Sequence, residues 1–279
     1  MTASGADGAR SADTKARFDD IYDRPDPRAY FRRLAPLEYE IPHHAQPVFR
    51  RAAAERAALA RDEPGQGPPA VLDVCCSYGI NAALLHHDVT LAELYAHYTA
   101  PEVQDLTVGE LVAVDKEFYA ARRRAGALPV IGLDIAGRAV RYALTVGLLD
   151  AAFTDNLEEG PASAPLCRAL ADVGLITLTG GGSYVTHRTF AALLPCVRRP
   201  LWVSAFVLRT VSYAPVARTL AHHGLRTTAD PSRTYPQRLF TDGRERRYAV
   251  RAVRALGADP AGRESAGRFH TVLYESRPA

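Results

Sequence analysis

Short apolar runs of strand length alternate with helical segments along most of the sequence after residue 69. The runs lie at 70–74, 128–134, 151–154, 173–179 and 201–208. Strands that alternate with helices form a parallel sheet covered by helices on both faces. A final extended segment at 268–276 follows a helical pattern and is placed to close the sheet in the antiparallel direction. The pattern therefore predicts a doubly wound α/β sheet of about seven strands, with the last strand antiparallel.

Three further segments accompany this sheet domain, which we place at residues 69–279 of the 279-residue chain. Residues 1–16 are small and polar without periodicity, which predicts a disordered tail. Residues 17–62 carry apolar side chains at helical spacing, as at Phe18, Ile21 and Tyr22, and predict an N-terminal helical cap. A stretch at about 90–125, divided by Pro101, predicts a helical insert of two helices.

Composition indicates which partners the protein is expected to bind and in which compartment it is expected to reside. The net charge is only +3 and the basic residues are spread along the chain, which argues against a nucleic-acid partner. Lys15 and Lys116 are the only lysines among 34 basic residues, a bias typical of a GC-rich bacterial genome. No apolar run approaches the ~18 residues of a membrane helix, and residues 1–13 lack a signal-peptide pattern. The four cysteines include no C-x-x-C pair, so we expect a cytoplasmic protein in a reducing compartment, without membrane association.

The loop after the first strand is the most informative segment, because ligands of such sheets bind at the carboxyl ends of the strands. It reads Asp73-x-Cys75-x-Ser77-x-Gly79 and keeps one glycine, so it does not match the G-x-G-x-x-G dinucleotide fingerprint. Its acid would repel a pyrophosphate and suits a cationic ligand with hydroxyl donors, such as S-adenosylmethionine (SAM). These four residues fall on the fixed positions of [DE]-x-G-x-G-x-G, and here the sequence resembles the class I SAM-dependent methyltransferases.

The resemblance extends over about 70–208 and implies a Rossmann-like fold. Asp134 ends the second strand, where the family's acid binds the ribose hydroxyls. Residues 155–157 follow the third strand, where a polar pair reads the adenine edge, and Thr179 ends the strand that leads to the transfer site. The resemblance implies a cofactor-binding set made of Asp73, Cys75, Ser77, Gly79, Asp134, Ile135, Asp155, Asn156, Leu157 and Thr179.

Residues for the reacting centre are predicted from aromatic and basic side chains near these strand ends. The resemblance places the N-terminal helices over the methyl donor, with Tyr22 as a catalytic candidate and Tyr30 as a substrate-binding one. Tyr184 and His187 follow the fourth strand and are catalytic candidates that would contact the acceptor or act as base. Arg209 ends the fifth strand and is a candidate for binding a substrate carboxylate. A purely structural role is the alternative for each.

The insert is the largest departure from the family pattern. Gly79 and Asp134 lie 55 residues apart, whereas the corresponding acid in related dinucleotide sites lies ~20 residues past the loop. An insert at this point emerges beside the cofactor site. A lid, a homodimer surface and a surface extension without function remain open.

Other chemistries have weaker support. Ser183, Asp242 and His270 follow the chain order of an α/β-hydrolase triad, but the G-x-S-x-G elbow lacks its final glycine. Adjacent histidines point apart on a helix or strand and lack metal-ligand spacing, so no metal is expected at the pairs 43–44, 86–87 and 222–223.

The sequence thus predicts a SAM-dependent methyltransferase that acts on a small-molecule acceptor, in bacterial specialised metabolism. One alternative is a methyltransferase-like enzyme that cyclises or cleaves SAM itself and releases methylthioadenosine. The other is a SAM-binding scaffold without catalysis.

Overall fold

A single mixed sheet forms the centre of the computed structural model, which describes residues 15–16, 18–61, 67–181 and 184–279. Within these ranges the strands are β1 Ala70–Val74, β2 Val130–Leu133, β3 Ala151–Phe153, β4 Val173–Thr179, β5 Trp202–Leu208, β6 Leu225–Ala229, β7 Tyr235–Leu239 and β8 Arg268–Pro278. Their spatial order is β3-β2-β1-β4-β5-β8-β6, and β7 pairs with the first residues of β8. Strands β1 to β5 are parallel, and β8 is antiparallel to its three neighbours. The predicted Rossmann-like sheet with an antiparallel last strand is confirmed.

Helices cover both faces of the sheet. In the described residues they are α1 Asp19–Tyr22, α2 Arg28–Leu34, α3 Ile41–Ala60, α4 Ile80–His86, α5 Leu91–Thr99, α6 Pro101–Gln104, α7 Val108–Ala120, α8 Gly137–Thr145, α9 Ala164–Leu170, α10 His187–Leu193, α11 Ala214–His222 and α12 Gly243–Ala255. Every residue of β1, β2, β4 and β5 is buried. These strands therefore read as continuous apolar runs, as strands covered on both faces do.

The two faces carry separate apolar cores. Val71 and Leu175 point toward the core that includes the N-terminal helices and the insert. Leu72 and Ile176, their neighbours in sequence, point toward the core formed with α9, α10 and α11. This alternation follows from the two-residue period of a strand. The long helix α3 packs across β4 and β5, so the N-terminal segment belongs to the same body as the sheet.

The insert contains three helices, α5, α6 and α7, where the sequence predicts two, because Pro101 begins a separate one-turn helix. The insert is tied to α8 through one buried carboxylate. Asp115 accepts hydrogen bonds from His97 Nε2 at 2.7 Å, from the Tyr98 hydroxyl at 2.7 Å and from the Tyr142 hydroxyl. A buried carboxylate with three donors fixes the geometry of the helices that supply them.

Several features differ from the sequence-based expectation or were missed by it. α11, β6 and β7 were not predicted: β6 and β7 are short and largely polar, and α11 has nine residues with a proline in its first turn. Cys167 and Cys196 form a disulfide between α9 and the turn after α10, contrary to the expectation of unpaired cysteines. The residues are 29 positions apart, a spacing that a search for C-x-x-C does not detect.

Two observations, on metal-binding clusters and on membrane-spanning helices, apply to the described residues and not to the whole chain. No group of three or more His, Cys, Asp or Glu side chains is arranged to hold a metal among these residues. No helix in the same ranges has the length and apolar character needed to cross a membrane. Of the predicted tail, residues 1–14 lie outside the described residues, whereas Lys15 and Ala16 line a cleft at the carboxyl ends of the strands.

Candidate functional site

A cleft of about 390 Å³ opens at the carboxyl ends of β1, β2 and β4. The strand order reverses between β1 and β4, and the chain leaves these two strands in opposite directions across the sheet. A crevice at such a switch point is the usual ligand site of a doubly wound sheet. The loop after β1 forms the floor of the cleft, and the N-terminal segment, β7 and the chain after β4 form its walls.

The loop after β1 has the backbone of a glycine-rich loop although it contains a single glycine. The φ angles are 58° at Cys75, 48° at Ser77 and 76° at Gly79. Left-handed conformations are strained for residues with a Cβ, and glycine adopts them freely. All three alternate positions of the motif therefore have the conformation for which glycine is best suited. Gly79 also lets α4 begin close to α8, because a Cβ there would lie 3.1 Å from the Cβ of Ala143.

Asp134 is the carboxylate that faces the cleft from the end of β2. Its Oδ2 accepts a hydrogen bond from the Ser77 backbone N–H at 2.9 Å, and its Oδ1 accepts one from Ala136 N–H at 3.0 Å. Burial raises its pKa, although these two bonds act in the opposite direction. A carboxylate oxygen has two lone pairs, so each oxygen can still accept a bond from a ligand.

Asp73 lies beneath the loop and does not line the cleft. Its Oδ1 accepts hydrogen bonds from Asn81 Nδ2 at 3.0 Å and from the Thr177 hydroxyl at 2.8 Å. Oδ2 is buried without a partner, and burial raises the pKa of the carboxyl group to about 7. Asn81 also donates to the hydroxyl of Thr179, which lines the cleft. Asp73 therefore connects β1, α4 and β4 under the site.

A smaller pocket of about 90 Å³ adjoins the cleft beyond Asp134. The predicted segment 155–157 lines it, and it shares Cys75, Asp134, Ile135 and Tyr184 with the main cleft. Ile135 is 69% exposed, which is unusual for a large apolar side chain. The structure thus brings the segments after β1, β2 and β3 to two adjoining pockets.

Glu158 holds the far side of this pocket and was not predicted from the sequence. Its carboxylate accepts bonds from the Thr186 backbone N–H and hydroxyl at 2.8 and 2.7 Å, and from the Thr189 hydroxyl at 2.6 Å. These contacts hold the start of α10 against the loop after β3. A threonine pair at this spacing from a distant acid gives no recognisable sequence signal.

The predicted reacting-centre residues separate into two groups. Tyr22, Tyr30 and Tyr184 line the cleft. His187 is the exposed first residue of α10 and is not among the cleft-lining residues. Arg209 is bonded to the carboxylate of Glu264 and to the carbonyl of Asp259, also outside the lining. The hydrolase alternative cannot be placed, because Ser183 lies outside the described residues.

Fifteen of the 23 residues that line the cleft were not predicted from the sequence, and those with an aromatic, amide or basic side chain include Lys15, Phe18, Tyr39, Gln237 and Arg238. Lys15 belongs to the segment predicted as tail, and its ammonium lies 5.5 Å from the ring centroid of Tyr184. Gln237 and Arg238 belong to β7, whose sequence YPQRL has no apolar alternation.

Comparison with known proteins gives likenesses in structure alone. No protein-family model and no curated protein matches the sequence. Magnesium protoporphyrin IX methyltransferase from Synechocystis PCC 6803 is similar at 13% identity and a TM-score of 0.35, over 82% of this chain and 79% of that one. The YcgJ protein from Bacillus subtilis is similar at 10% identity and a TM-score of 0.44, over 85% and 98%. The [4+2]-cyclase SpnF is similar at 10% identity and a TM-score of 0.37, over 82% and 81%.

These scores are too low to carry an assignment of function, so the function is inferred from the strand order and the cleft. The cleft presents one buried carboxylate at the end of β2 and backbone amides along the loop after β1. It also presents aromatic rings on the wall formed by the N-terminal segment. Such a site can bind a ligand that has hydroxyl donors on one end and an apolar or cationic group on the other.

Proposed function

We propose that the cleft binds SAM and that the protein transfers the SAM methyl group to a small-molecule acceptor. The observation that carries this proposal is the relation between Asp134 and the loop after β1. The carboxylate is bonded to Ser77 N–H, and the three alternate positions of the loop are left-handed. This arrangement places an acceptor for a ribose diol next to a loop along which a ligand can approach the backbone closely.

The residues present fit SAM. The free lone pairs of Asp134 can accept bonds from both ribose hydroxyls. The adjoining pocket at 155–157 has a size and position suited to an adenine ring, with Ile135 exposed beside it. The loop after β1 lacks the G-x-G-x-x-G fingerprint, which disfavours a dinucleotide.

SAM would supply an electrophilic methyl group when bound, and the residues of this chain would position the acceptor and exclude water. Tyr22 and Tyr30 meet edge to face, with ring centroids 5.8 Å apart. Aromatic faces attract a sulfonium by about 0.5–2 kcal/mol. Holding two reactants in attack geometry supplies much of the rate enhancement in a transfer of this kind.

A place in bacterial specialised metabolism is part of the proposal, and the arginine-rich composition supports its bacterial part. Methyl transfer predicts S-adenosylhomocysteine only when an acceptor is present. Release of methylthioadenosine from SAM alone would instead support cyclisation or cleavage of SAM. Binding without either product would support a scaffold.

Titration calorimetry with SAM tests the cofactor assignment directly. Asp134→Asn removes a charge-assisted acceptor, and a hydrogen bond to a charged group contributes about 1.5–3 kcal/mol. We therefore expect affinity to fall by about 10- to 150-fold. Asp88→Asn is the matched control, because Asp88 is an exposed carboxylate just after the end of α4. Equal SAM affinity for Asp134→Asn and the native protein would overturn the assignment, and nucleoside analysis by mass spectrometry separates the three reactions.

A further inference from the structure

Aromatic side chains form much of the wall of the cleft. They are Phe18, Tyr22, Tyr30, Tyr39 and Tyr184. The ring of Tyr30 meets those of Tyr22 and Tyr39 edge to face, at centroid distances of 5.8 and 6.3 Å and interplanar angles of 64° and 86°. Ring walls of this kind favour a planar aromatic ligand, which can pack by stacking and by edge-to-face contact.

One polar wall of the same region is formed by β7. Gln237 is 2% exposed, and its Oε1 is buried without a hydrogen-bond partner. A buried carbonyl oxygen without a donor loses its bond to water and gains none in return, which is unfavourable. A ligand with an O–H or N–H group would satisfy this oxygen, whereas the same ligand without the proton would not.

The N-terminal segment brings an amine to the same region. Ala16 N–H donates to Glu245 Oε1 at 2.9 Å, which fixes the segment against α12. The neighbouring Lys15 places its Nζ 5.5 Å from the Tyr184 ring centroid. A lysine amine within a cleft is a candidate general base when its surroundings favour the neutral form.

Among the described residues, the groups that face Lys15 include Arg238 on β7, Glu245 on α12, Cys75 after β1 and Tyr184 after β4. Burial, and then the charge of Arg238, lowers the pKa of Lys15 to about 8, while Glu245 and Cys75 act in the opposite direction. Burial has the reverse effect on a phenol, because it disfavours the anion.

The tyrosines of the wall are therefore poor proton acceptors. Burial raises the pKa of Tyr22, Tyr30 and Tyr39, so their hydroxyl groups stay protonated at neutral pH. His187, the basic candidate from the sequence, is outside the lining. Lys15 is the lining residue best suited to take a proton near neutral pH.

We propose that the acceptor is a planar aromatic molecule with a ring hydroxyl, and that Lys15 takes the hydroxyl proton during transfer. This inference rests on the proposed function. The acceptor oxygen forms the new bond to the methyl carbon, and the carbon–sulfur bond of the donor breaks with its electron pair on sulfur. The proton passes to the neutral amine of Lys15 and then to solvent. The hydroxyl donates this one proton to Gln237 Oε1 in the bound acceptor, before Lys15 takes it, and the bond to Gln237 selects for a hydroxyl over an ether.

The test uses 2-naphthol as probe and 2-methoxynaphthalene, which lacks the proton, as its matched partner. Equilibrium dialysis should give at least a tenfold preference for 2-naphthol in the native protein, equivalent to about 1.4 kcal/mol. The preference should fall to near one in Gln237→Leu. Equal binding of the two probes by the native protein would overturn the proposal.

Amine acetylation read by peptide mass spectrometry gives a second measurement that does not depend on turnover. The chain has two lysines, so the exposed Lys116 on α7 is an internal reference in the same molecule. Labelling of Lys15 should rise with pH and level off above about 8, and 2-naphthol should protect Lys15 and not Lys116. Equal protection of both lysines, or of neither, would contradict a role for Lys15 at the acceptor.

Turnover of 2-naphthol to its methyl ether should fall at least tenfold in kcat for Lys15→Met and Lys15→Arg, and stay unchanged for Lys116→Met. Arginine preserves the positive charge and cannot act as a base near neutral pH. A low kcat in Lys15→Arg would therefore show that proton transfer, and not the charge of the side chain, is needed. Unchanged kcat in both Lys15 variants would refute the base assignment.

SAM binding is measured first and alone. If the native protein does not bind SAM but 2-naphthol still protects Lys15 from acetylation, the proposed function is refuted and the site for an aromatic hydroxyl remains. If the native protein binds SAM but 2-naphthol does not protect Lys15, the inference about the acceptor is refuted.

Discussion

Replacing Ser77 with glycine should make the protein more stable, because the native residue carries two separate penalties. Its φ of 48° is left-handed, a conformation that costs an L-residue about 1–2 kcal/mol. Its hydroxyl oxygen is buried without a hydrogen-bond partner, which costs about 1–3 kcal/mol. Glycine removes both penalties, while its extra freedom in the unfolded chain takes back about 0.4–1 kcal/mol. The least favourable combination still leaves a net stabilisation of about 1 kcal/mol.

Urea and thermal unfolding measure this change. A gain of about 1 kcal/mol raises the Tm by about 2–4 °C in a domain of roughly this size, and the urea m-value should not change. Ser77→Ala removes the hydroxyl but keeps the strained backbone, so its stability should lie between those of the native protein and the glycine variant. Ser204→Gly is the control, because Ser204 lies inside β5 and glycine in a strand interior is destabilising.

Two results would refute this reasoning. A glycine variant less stable than the native protein would mean that the left-handed conformation carries no cost at Ser77. Equal stability of the alanine and glycine variants would assign the whole effect to the hydroxyl. SAM affinity should be retained in the glycine variant, because the bond to Asp134 comes from the backbone N–H of residue 77.

Three further changes probe the groups around the cleft. Asp73→Asn keeps Oδ1 as an acceptor and removes a carboxyl group that can ionise. Because burial raises the pKa of Asp73 to about 7, the stability of the native protein should fall as pH rises from about 4 through 7. The asparagine variant should lack this fall when Tm is measured across the same pH range. A parallel pH dependence in both proteins would contradict it. Glu245→Gln leaves the buried Arg238 without its carboxylate partner and should lower the free energy of unfolding, measured in urea, by about 3–5 kcal/mol. A decrease of less than about 1 kcal/mol would contradict this prediction. Gly181→Ala places a Cβ 2.6 Å from the Sγ of Cys75 and should lower the free energy of unfolding by about 1–3 kcal/mol. In a double-mutant cycle, Cys75→Gly should recover most of that loss, whereas additive effects of the two substitutions would mean that the strain does not arise from this contact.

The buried parallel strands are the part of the fold that sequence predicts best. β1, β4 and β5 are buried throughout and mostly apolar because helices cover both of their faces, and their predicted positions agree with the structure to within one residue at either end. β6 and β7 lie at the far side of the sheet and are only partly buried, so exposed polar residues such as Arg226 and Thr228 are compatible with strand structure there. Local patterning does not distinguish such strands from loops.

The sequence predicts the site residues that directly follow a strand. It does not predict the residues that a distant segment of the chain brings to the cleft. Asp134 and residues 155–157 follow predicted strands and line the cleft or its neighbour. Arg209 also follows a strand, yet β8 lies between β5 and β6, and the side chain bonds to Glu264 outside the cleft. Lys15 reaches the cleft from a segment without periodicity, through the backbone contact of Ala16 with α12.

The position of the cleft at the β1–β4 seam also has a kinetic consequence. Asp73 and Thr177 meet across this seam although they are 104 residues apart in the chain. Closing such a loop carries a large entropic barrier, and contacts of long sequence separation slow folding. The ligand site thus lies where the most distant segments of the sheet must find one another. In a refolding experiment, recovery of ligand affinity is expected to follow the slow pairing of β1 with β4 and to lag behind helix formation.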